Sequence, residues 1–339
     1  MSTINIVLKN EFILRSPTLA DAPAVLSIMN ACAVAVVGHS DDSLDDVLSK
    51  WGTPGLNLET DVCVISTPDG RLLAYAIVED FFNPASPEID VYIHPDFWHD
   101  QTDSLDGSLM SWAQERSREA IAKAPADARV AMQAYTYSKD SYYKTILERA
   151  GMAIIRHAFR MKIDLDKQTP DPVWPDGIIL RTFQAGEDKR PVLEAVRGSF
   201  QDHWGYVESP FDEHYERWEH HWEDHFDPSL WFLAMDGDQI AAVCLCQPQQ
   251  GDDESLGWVS TLGVTRPYRR QGLGLALLHH AFEEFRRRGK TSVGLGVDAS
   301  SLTGATKLYE KAGMYIDERI DLYEKELRPG IVYGTQSVE

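Results

Sequence analysis

Apolar and polar residues change their spacing along this chain in a way that outlines alternating strands and helices. The clearest stretch is a short apolar strand ending at Val264, a helix from Leu273 to Arg288, and a further strand from Thr291 to Asp298. In the helix the apolar side chains recur every three or four residues, which is typical of an amphipathic helix packed on a sheet. Gly289 stands where a helix C-cap is expected.

The same periodicity predicts the other elements of the C-terminal half. A helix reaches Met314 and a last strand lies near Ile320–Glu326. Before these come a strand, two helices, a hairpin and another strand: Ile178–Thr182, Arg190–Ser199, Asp212–Asp224, Leu230–Gln247 and Gly257–Val264. Strands interleaved with helices in this order predict an α/β fold with a mixed sheet.

An internal repeat divides the chain into two similar halves. Ile13-Leu14-Arg15 resembles Ile179-Leu180-Arg181, and Glu148–Met152 resembles Glu310–Met314, with an offset of about 160 to 170 residues. The stretch between the copies is rich in proline and acidic residues, which break any periodic pattern. We therefore predict a first domain over 1–166, a linker over 167–176 and a second domain over 177–339.

The loop between Val264 and the helix at Leu273 carries the most specific chemistry. It contains Arg266, Arg269 and Arg270, followed by Gln271-Gly272-Leu273-Gly274. Glycines allow backbone amides to approach a ligand, a helix start offers unpaired N–H groups, and guanidinium groups match phosphate oxygens. The pattern predicts a site for a phosphorylated ligand, although it matches neither the nucleoside triphosphate loop nor the dinucleotide motif.

The motif Arg269-x-x-Gly272-x-Gly274 resembles the pyrophosphate-binding motif of the GNAT superfamily of acetyl-CoA-dependent N-acyltransferases. The family's second signature, a helix ending in Leu-Tyr-x-x-x-Gly-Phe/Met, is matched by Leu308-Tyr309 and Gly313-Met314. The resemblance implies two tandem GNAT-type domains, each with a mixed, mostly antiparallel sheet flanked by helices. It also implies that the two central parallel strands splay apart.

The resemblance further implies the residues that bind acetyl-CoA. Backbone groups of Leu262 and Val264 would bond its pantetheine arm, and Ser301 stands where many members carry Asn. Tyr309 matches the family tyrosine that acts as general acid on the sulfur. The loop contributes the residues that would hold the pyrophosphate: Arg269, Arg270, Gln271, Gly272, Leu273, Gly274 and Leu275.

The general base is an open assignment. Several relatives carry a Glu on the strand before the loop, where this chain has Trp258. His203 titrates near neutrality in its unperturbed state and is the candidate base, while a water-mediated route stays an alternative. Asp202 or Glu208 could bind a cationic amine.

The first copy lacks the anion-binding residues of the second. Its counterpart of the loop, Ile93–Asp100, has no arginine and no glycine, and Leu147 stands where the second copy has Tyr309. We expect this domain to be a structural partner that helps to wall the acceptor site, with binding of a regulatory ligand as the alternative.

Composition limits the partners. A net charge of −21 argues against nucleic acid and favours a cationic acceptor. No secretory signal precedes the first domain and no stretch is long enough to span a bilayer, so a reducing cytoplasm is expected.

No metal site is expected. The four cysteines lack metal-ligand spacing, and we interpret the pair His221 and His225 as part of a solvated helix face rather than a zinc site.

The leading hypothesis is an N-acetyltransferase that passes an acetyl group from acetyl-CoA directly to a primary amine of a small molecule or peptide. One alternative is an acyl-CoA sensor or scaffold without catalysis, suggested by the missing strand carboxylate. Another is an enzyme with the tandem layout of mycothiol synthase. The sequence leaves the acceptor open, together with the choice between a monomer and a homodimer.

Overall fold

The structure is a computed structural model that describes residues 5–8, 11–98, 105–166, 168–225 and 227–336, without the side chains of residues 5 and 220–225. Two compact units divide the chain. Unit 1 contains Met1–His157 and Ile320–Tyr333, and unit 2 contains Ala158–Arg319 and Gly334–Glu339. The tandem α/β arrangement predicted from the repeat is confirmed.

The first half of the chain supplies eleven elements within its described residues. They are β1 (Asn5–Val7), β2 (Ile13–Arg15), α1 (Ala22–Val37), α2 (Leu44–Gly52), β3 (Val62–Ser66), β4 (Leu72–Glu79), β5 (Glu88–Ile93), α3 (Leu105–Lys123), β6 (Val130–Tyr137), α4 (Ser141–Arg149) and β7 (Ala153–Asp164). In the sheet of unit 1, β1 to β6 lie in chain order, with antiparallel pairing up to β5. The parallel pairing of β5 with β6 is limited to Glu88 opposite Gln133.

The second half repeats this order. Its elements are β8 (Ile178–Thr182), α5 (Lys189–Phe200), α6 (Phe211–His225), β9 (Trp231–Asp236), β10 (Gln239–Gln247), β11 (Leu256–Val264), α7 (Leu273–Arg287), β12 (Ser292–Asp298), α8 (Ala305–Lys311) and β13 (Tyr315–Arg328). These bounds agree with the predicted ones to within one or two residues for α5, α6 and α7. The sheet of unit 2 has the order β7-β12-β11-β10-β9-β8.

The core of unit 2 lies on both faces of its sheet. On one face, α7 buries Leu277, Ala281, Phe282 and Phe285, which is the helical spacing read from the sequence. On the other face, α5 buries Val192 against strand side chains of β9 and β10. Gly257 is required beneath α7, because a Cβ there would lie 2.5 Å from the ring of Phe285.

The predicted domain boundaries need one correction, because the two halves exchange their last strands. Residues Ala158–Asp164 of β7 pair with β12 in unit 2, whereas Ile320–Arg328 of β13 pair with β6 in unit 1. A strand satisfies its backbone groups equally well in either sheet, so the local pattern cannot indicate which sheet it joins. Tyr323 of β13 is fully buried in the core of unit 1.

A second correction concerns the expectation that no stretch of the chain is long and apolar enough to span a membrane. The segment Leu19–Val37 is long and apolar enough to cross a membrane by length and composition, contrary to the expectation that no such stretch exists. It contains α1, whose Val25, Ile28 and Met29 belong to a buried cluster of unit 1. The core helix of a soluble protein passes the same test of length and composition.

The strand exchange makes the stability of unit 1 depend on a residue from the end of the chain. Tyr323→Ala should lower the free energy of unfolding by about 3–5 kcal/mol, because it empties a buried aromatic site. Tyr315→Ala, on the same strand but 43% exposed, is the matched control and should cost about 1 kcal/mol or less. Urea denaturation measures the free energy of unfolding of both variants. An equal loss of this free energy in the two would contradict the strand exchange.

Candidate active site

A gap between β11 and β12 is the central feature of unit 2. Their parallel pairing covers Leu256–Trp258 opposite Ser292–Gly294 and then stops. The register of β11 against β10 shifts between Val259 and Thr261, which leaves Ser260 as an extra residue. A bulge of this kind bends a strand and ends regular pairing. The predicted splay of the central parallel strands is confirmed in this unit.

The gap opens into a cavity of about 470 Å³. Ser260 lines the cavity, and Trp258 is not among the lining residues; its ring instead lies under the guanidinium of Arg160, 4.9 Å from the ring centroid. The cavity is lined by nearly all of the residues predicted for the site: Leu262, Val264, Arg269, Arg270, Gly272, Leu273, Gly274, Leu275, Ser301, Tyr309 and His203. Folding thus brings together three segments of the sequence, and the outermost of these residues, His203 and Tyr309, are more than 100 positions apart.

Gln271 is the exception among the predicted site residues. It does not line the cavity, and its side-chain amide donates to the carbonyl of Pro267 at 3.1 Å. The backbone N–H of Gln271 stays available at the start of α7, so its predicted part in binding the pyrophosphate would come from the backbone.

The start of α7 forms the predicted anion cradle. Gly272 caps the helix with φ +93°, a conformation that glycine adopts without strain, and the N–H of Ala276 makes the first bond back to its carbonyl. None of the backbone N–H groups from Arg270 to Leu275 donates to another described residue. Successive free N–H groups at a helix start form an anion site.

The arginines of this loop have different roles. Arg269 is committed to the protein itself: it pairs with Asp202 at 2.5 Å and donates to the carbonyls of Val264 and Ser199. Arg266 pairs with the same carboxylate. The guanidinium of Arg270 has no hydrogen bond or ion pair with any residue that the structure describes, and it lines the cavity. Arg270 is therefore the cation available to a phosphate.

Asp202 connects the cradle to the loop that follows α5. Its hydrogen bonds to Arg266 and Arg269 lower the pKa of this carboxyl to about 2, so it stays ionised. Asp202 is also 6% exposed and does not line the cavity, so the structure gives no support to Asp202 as the group that binds the amine. The other alternative, Glu208, lies 3.8 Å from Arg197 and outside the cavity lining.

His203 follows Asp202 and lines the cavity. Its ring packs on Phe200 with 4.2 Å between centroids. Burial lowers the pKa of His203, and the nearby charge of Asp298 opposes this effect. The imidazole is therefore neutral at pH 7, which is the state that a general base requires.

Tyr309 projects from α8 into the same cavity and is 8% exposed. Burial, together with the neighbouring Cys244 thiol, raises the pKa of its hydroxyl. No described residue forms a hydrogen bond with that hydroxyl. Tyr309 thus holds a proton and an unused donor at the surface of the cavity.

Two features of the site escape the sequence analysis. Asp298 ends β12 beside His203, and only its position before a turn could have indicated it. The C-terminal segment is the other: Thr335 exchanges backbone hydrogen bonds with Gly205 and Tyr206 at 2.8 and 3.1 Å. This segment holds the loop that carries His203, and no local pattern predicts such a contact.

Metal binding finds no support in the described part of the chain, where no group of three or more His, Cys, Asp or Glu side chains could hold an ion. The side chains of His221 and His225 lie outside the described residues, so the interpretation of that pair stays a prediction.

A gap between parallel strands that leads to an anion cradle has the shape and the donors that suit an extended phosphorylated ligand. The sequence profile of the Acetyltransferase (GNAT) family matches residues 193–314. A GCN5-related N-acetyltransferase from Sphaerobacter thermophilus has 36% sequence identity and a TM-score of 0.77, over 96% of this chain and 98% of that one. The chain belongs to the GCN5-related N-acetyltransferase (GNAT) family, and the predicted class of enzyme, an acyltransferase, is confirmed.

Mycothiol acetyltransferases are also similar to this chain. That of Thermobispora bispora is 32% identical over 166 residues, which make up 48% of this chain and 55% of that protein. That of Streptomyces scabiei is 25% identical over 315 residues, or 91% of this chain and 93% of that protein. The chain thus spans about half of the first relative and most of the second.

The different roles of the two arginines lead to a prediction. Arg270→Ala should weaken coenzyme A binding about 3- to 10-fold, because it removes one phosphate partner, without a change in unfolding free energy. Arg269→Ala should instead lower that free energy by about 1–3 kcal/mol, because Asp202 and two carbonyls lose a donor. Calorimetry and urea denaturation measure the two effects. Unchanged coenzyme A affinity in Arg270→Ala would refute the assignment.

Proposed function

We propose that this protein is an N-acetyltransferase that passes the acetyl group of acetyl-CoA to a primary amine of a small molecule or peptide. The attack is direct, in a ternary complex. The observation that carries the proposal is the continuity of one cavity from the free N–H groups at the start of α7 to the hydroxyl of Tyr309. Acetyl-CoA would supply the activated thioester.

Different residues along the cavity of unit 2 would bind different parts of acetyl-CoA. Arg270 and the N–H groups of residues 270–275 would hold the pyrophosphate. The pairing of β11 with β12 ends before Leu262 and Val264, so backbone groups on this edge can bond the pantetheine arm, although the carbonyl of Val264 already accepts from Arg269. An N–H near Val264 would polarise the thioester carbonyl, a contact of the kind that dominates acyl transfer.

Tyr309 is proposed as the general acid. Its raised pKa keeps the hydroxyl protonated throughout the working pH range, so it donates to the sulfur as negative charge develops there. Its lack of a partner among the described side chains leaves that donor free. Catalysis explains such a hydroxyl better than the sensor alternative does, because binding alone does not use it.

His203 is proposed as the base, acting directly or through a water molecule. Its position on the cavity wall and its lowered pKa support the role, and Asp298 would stabilise the imidazolium that forms. The attacking amine would give its proton to His203, directly or through the water molecule, and the leaving thiolate would receive a proton from Tyr309.

The acceptor is proposed only by class. The mycothiol acetyltransferases favour a mycothiol-synthase-like enzyme as the second candidate. Trp258 stands where some relatives carry a strand carboxylate, which is a reason to test other amines as well. A cytoplasmic location and the role of unit 1 as a wall of the acceptor site stay predictions.

Removal of the Tyr309 hydroxyl tests the acid. Tyr309→Phe should lower kcat about 10²- to 10⁴-fold with nearly unchanged acetyl-CoA affinity, because only the proton donor is lost. The release of free thiol from acetyl-CoA across a panel of amines measures kcat. Calorimetry measures the affinity for acetyl-CoA. Tyr315→Phe is the control. Unchanged turnover would exclude the acid, and complete inactivity of the wild type with tight binding would favour the sensor.

The pH dependence tests the base. The pKa of His203 lies below its ordinary value of 6.5. In the wild type, kcat/KM for the amine should therefore fall at acid pH, where His203 becomes protonated. This fall should be absent from the pH profile of His203→Gln. The variant should retain acetyl-CoA affinity. If the acid limb is the same in wild type and variant, a water-mediated route without His203 is favoured.

A further inference from the structure

The end of the chain packs against the loop that carries His203. This loop covers residues 201–210, between α5 and α6 of unit 2, and residues 334–336 belong to the same unit. We call residues 334–336 the C-terminal segment. None of them lines the cavity, so the segment acts on the site only through the loop that it contacts.

The backbone contacts of the segment lie on both sides of His203. The carbonyl of Thr335 accepts from the N–H of Gly205 at 2.8 Å, and its own N–H donates to the carbonyl of Tyr206 at 3.1 Å. The hydroxyl of Thr335 donates to the carbonyl of Gln201 at 3.1 Å. The loop is therefore held shortly before and shortly after the residue proposed as the base.

Gln336 adds a contact to a second residue of the cavity wall. Its side-chain amide donates to the carbonyl of Gly334 at 3.1 Å, which leaves the amide oxygen to accept from the indole N–H of Trp204 at 3.2 Å. Trp204 lines the cavity next to His203. The segment thus orients an aromatic wall residue as well as the backbone around the imidazole.

Gly334 is the residue that permits this close contact. A Cβ on Gly334 would lie 2.9 Å from the Cα of Gly205 and 3.0 Å from its carbonyl carbon and oxygen, which is closer than a side chain can approach a backbone. The φ of Gly334 lies outside the left-handed region, so its own backbone accepts an alanine without strain. The approach to the loop is therefore what requires a glycine here.

The other contacts of the loop do not replace this hold. Asp202 is fixed by two arginines, which anchors the loop at one residue. The N–H of His203 donates to the carbonyl of Phe200 at 2.9 Å, and its carbonyl accepts from Tyr206 at 3.1 Å. Because these two bonds lie within one stretch of seven residues, they shape its turns without fixing its place beside the cavity. The C-terminal segment supplies the second anchor.

We propose that the C-terminal segment positions His203 and Trp204 on the acceptor side of the cavity, and that this positioning depends on the absence of a side chain at residue 334. Because it acts through His203, this role rests on the acetyl transfer proposed for the site. The segment touches no reacting atom, so its residues are positioning residues. Loss of the contact should impair the reaction of the amine and leave acetyl-CoA binding unchanged.

Steady-state kinetics of the full chain test the positioning, with Gly334→Ala as the variant. Its kcat/KM for the amine should fall about 10- to 100-fold, because a shift of about 1 Å in a positioned group is enough for such a loss. The KM for acetyl-CoA should stay at the wild-type value. Equal kcat/KM values in variant and wild type overturn the proposal, and so does an equal loss for both substrates, which indicates general damage to the fold.

Two further variants complete the comparison. Gly186→Ala is the matched control, since an added Cβ there would meet no atom within 4 Å, and it should behave like the wild type. Thr335→Pro removes the N–H that donates to Tyr206 and should give the same loss as Gly334→Ala, specific to the amine. A Thr335→Pro variant with wild-type kinetics overturns the proposal.

The pKa of His203 gives a measurement that does not require acetyl transfer. Burial lowers this pKa and Arg269 adds to the effect, while Asp298 of β12 and Asp202 oppose it. A displaced loop exposes the ring, so the pKa should rise toward its ordinary value of 6.5 in Gly334→Ala and stay low in Gly186→Ala. NMR titration of protein with isotope-labelled histidine measures it, and the signal is the one that His203→Gln lacks.

The two measurements separate this proposal from the proposed function. If the pKa rises in Gly334→Ala but the wild type acetylates no amine of the panel, the hold of the segment on the loop is supported and the proposed function alone fails. If the wild type is active and the pKa of His203 is the same in wild type, Gly334→Ala and Thr335→Pro, the positioning role is overturned and the proposed function stands.

Discussion

The parting of β11 from β12 is the constraint on which the active site depends. Two parallel strands that stayed paired would satisfy each other's backbone groups and leave no room for a ligand. The bulge at Ser260 ends the pairing after Trp258, so that the edge of β11 faces an open gap. Everything placed around that gap, from the cradle at Gly272 to the hydroxyl of Tyr309, is useful because the strands separate there.

A second constraint fixes the loops relative to the gap. The carboxylate of Asp202 holds Arg266 and Arg269 together, and Arg269 also reaches two backbone carbonyls. This network joins the loop before α7 to the loop that carries His203. Two neighbouring arginines thus serve different ends, since Arg269 maintains the shape of the site and Arg270 is left to meet the ligand.

The two units show how one fold can keep its architecture while its chemistry changes. In unit 1 the strands β5 and β6 also separate, with Glu88 opposite Gln133 as their sole paired position in the described sheet. The sequence counterpart of the cradle loop, Ile93–Asp100, contains no glycine and no arginine. At the position where the strands separate, β5 carries Glu88 and Asp90, whereas the corresponding part of unit 2 leads to the free N–H groups at the start of α7.

Sequence patterns determined the elements, the tandem repeat and most of the site, because those features depend on local spacing. The helix at Leu273, the cradle glycines and Tyr309 are all recognised from short motifs, and the structure brings them to one cavity. Tertiary structure decided what depends on long-range partners. The exchange of β7 and β13 between units, the engagement of Arg269 by Asp202 and the seating of Thr335 on the loop of His203 are examples. A strand pairs equally well with either sheet, and an arginine binds a carboxylate as readily as a phosphate, so only the folded arrangement selects between them.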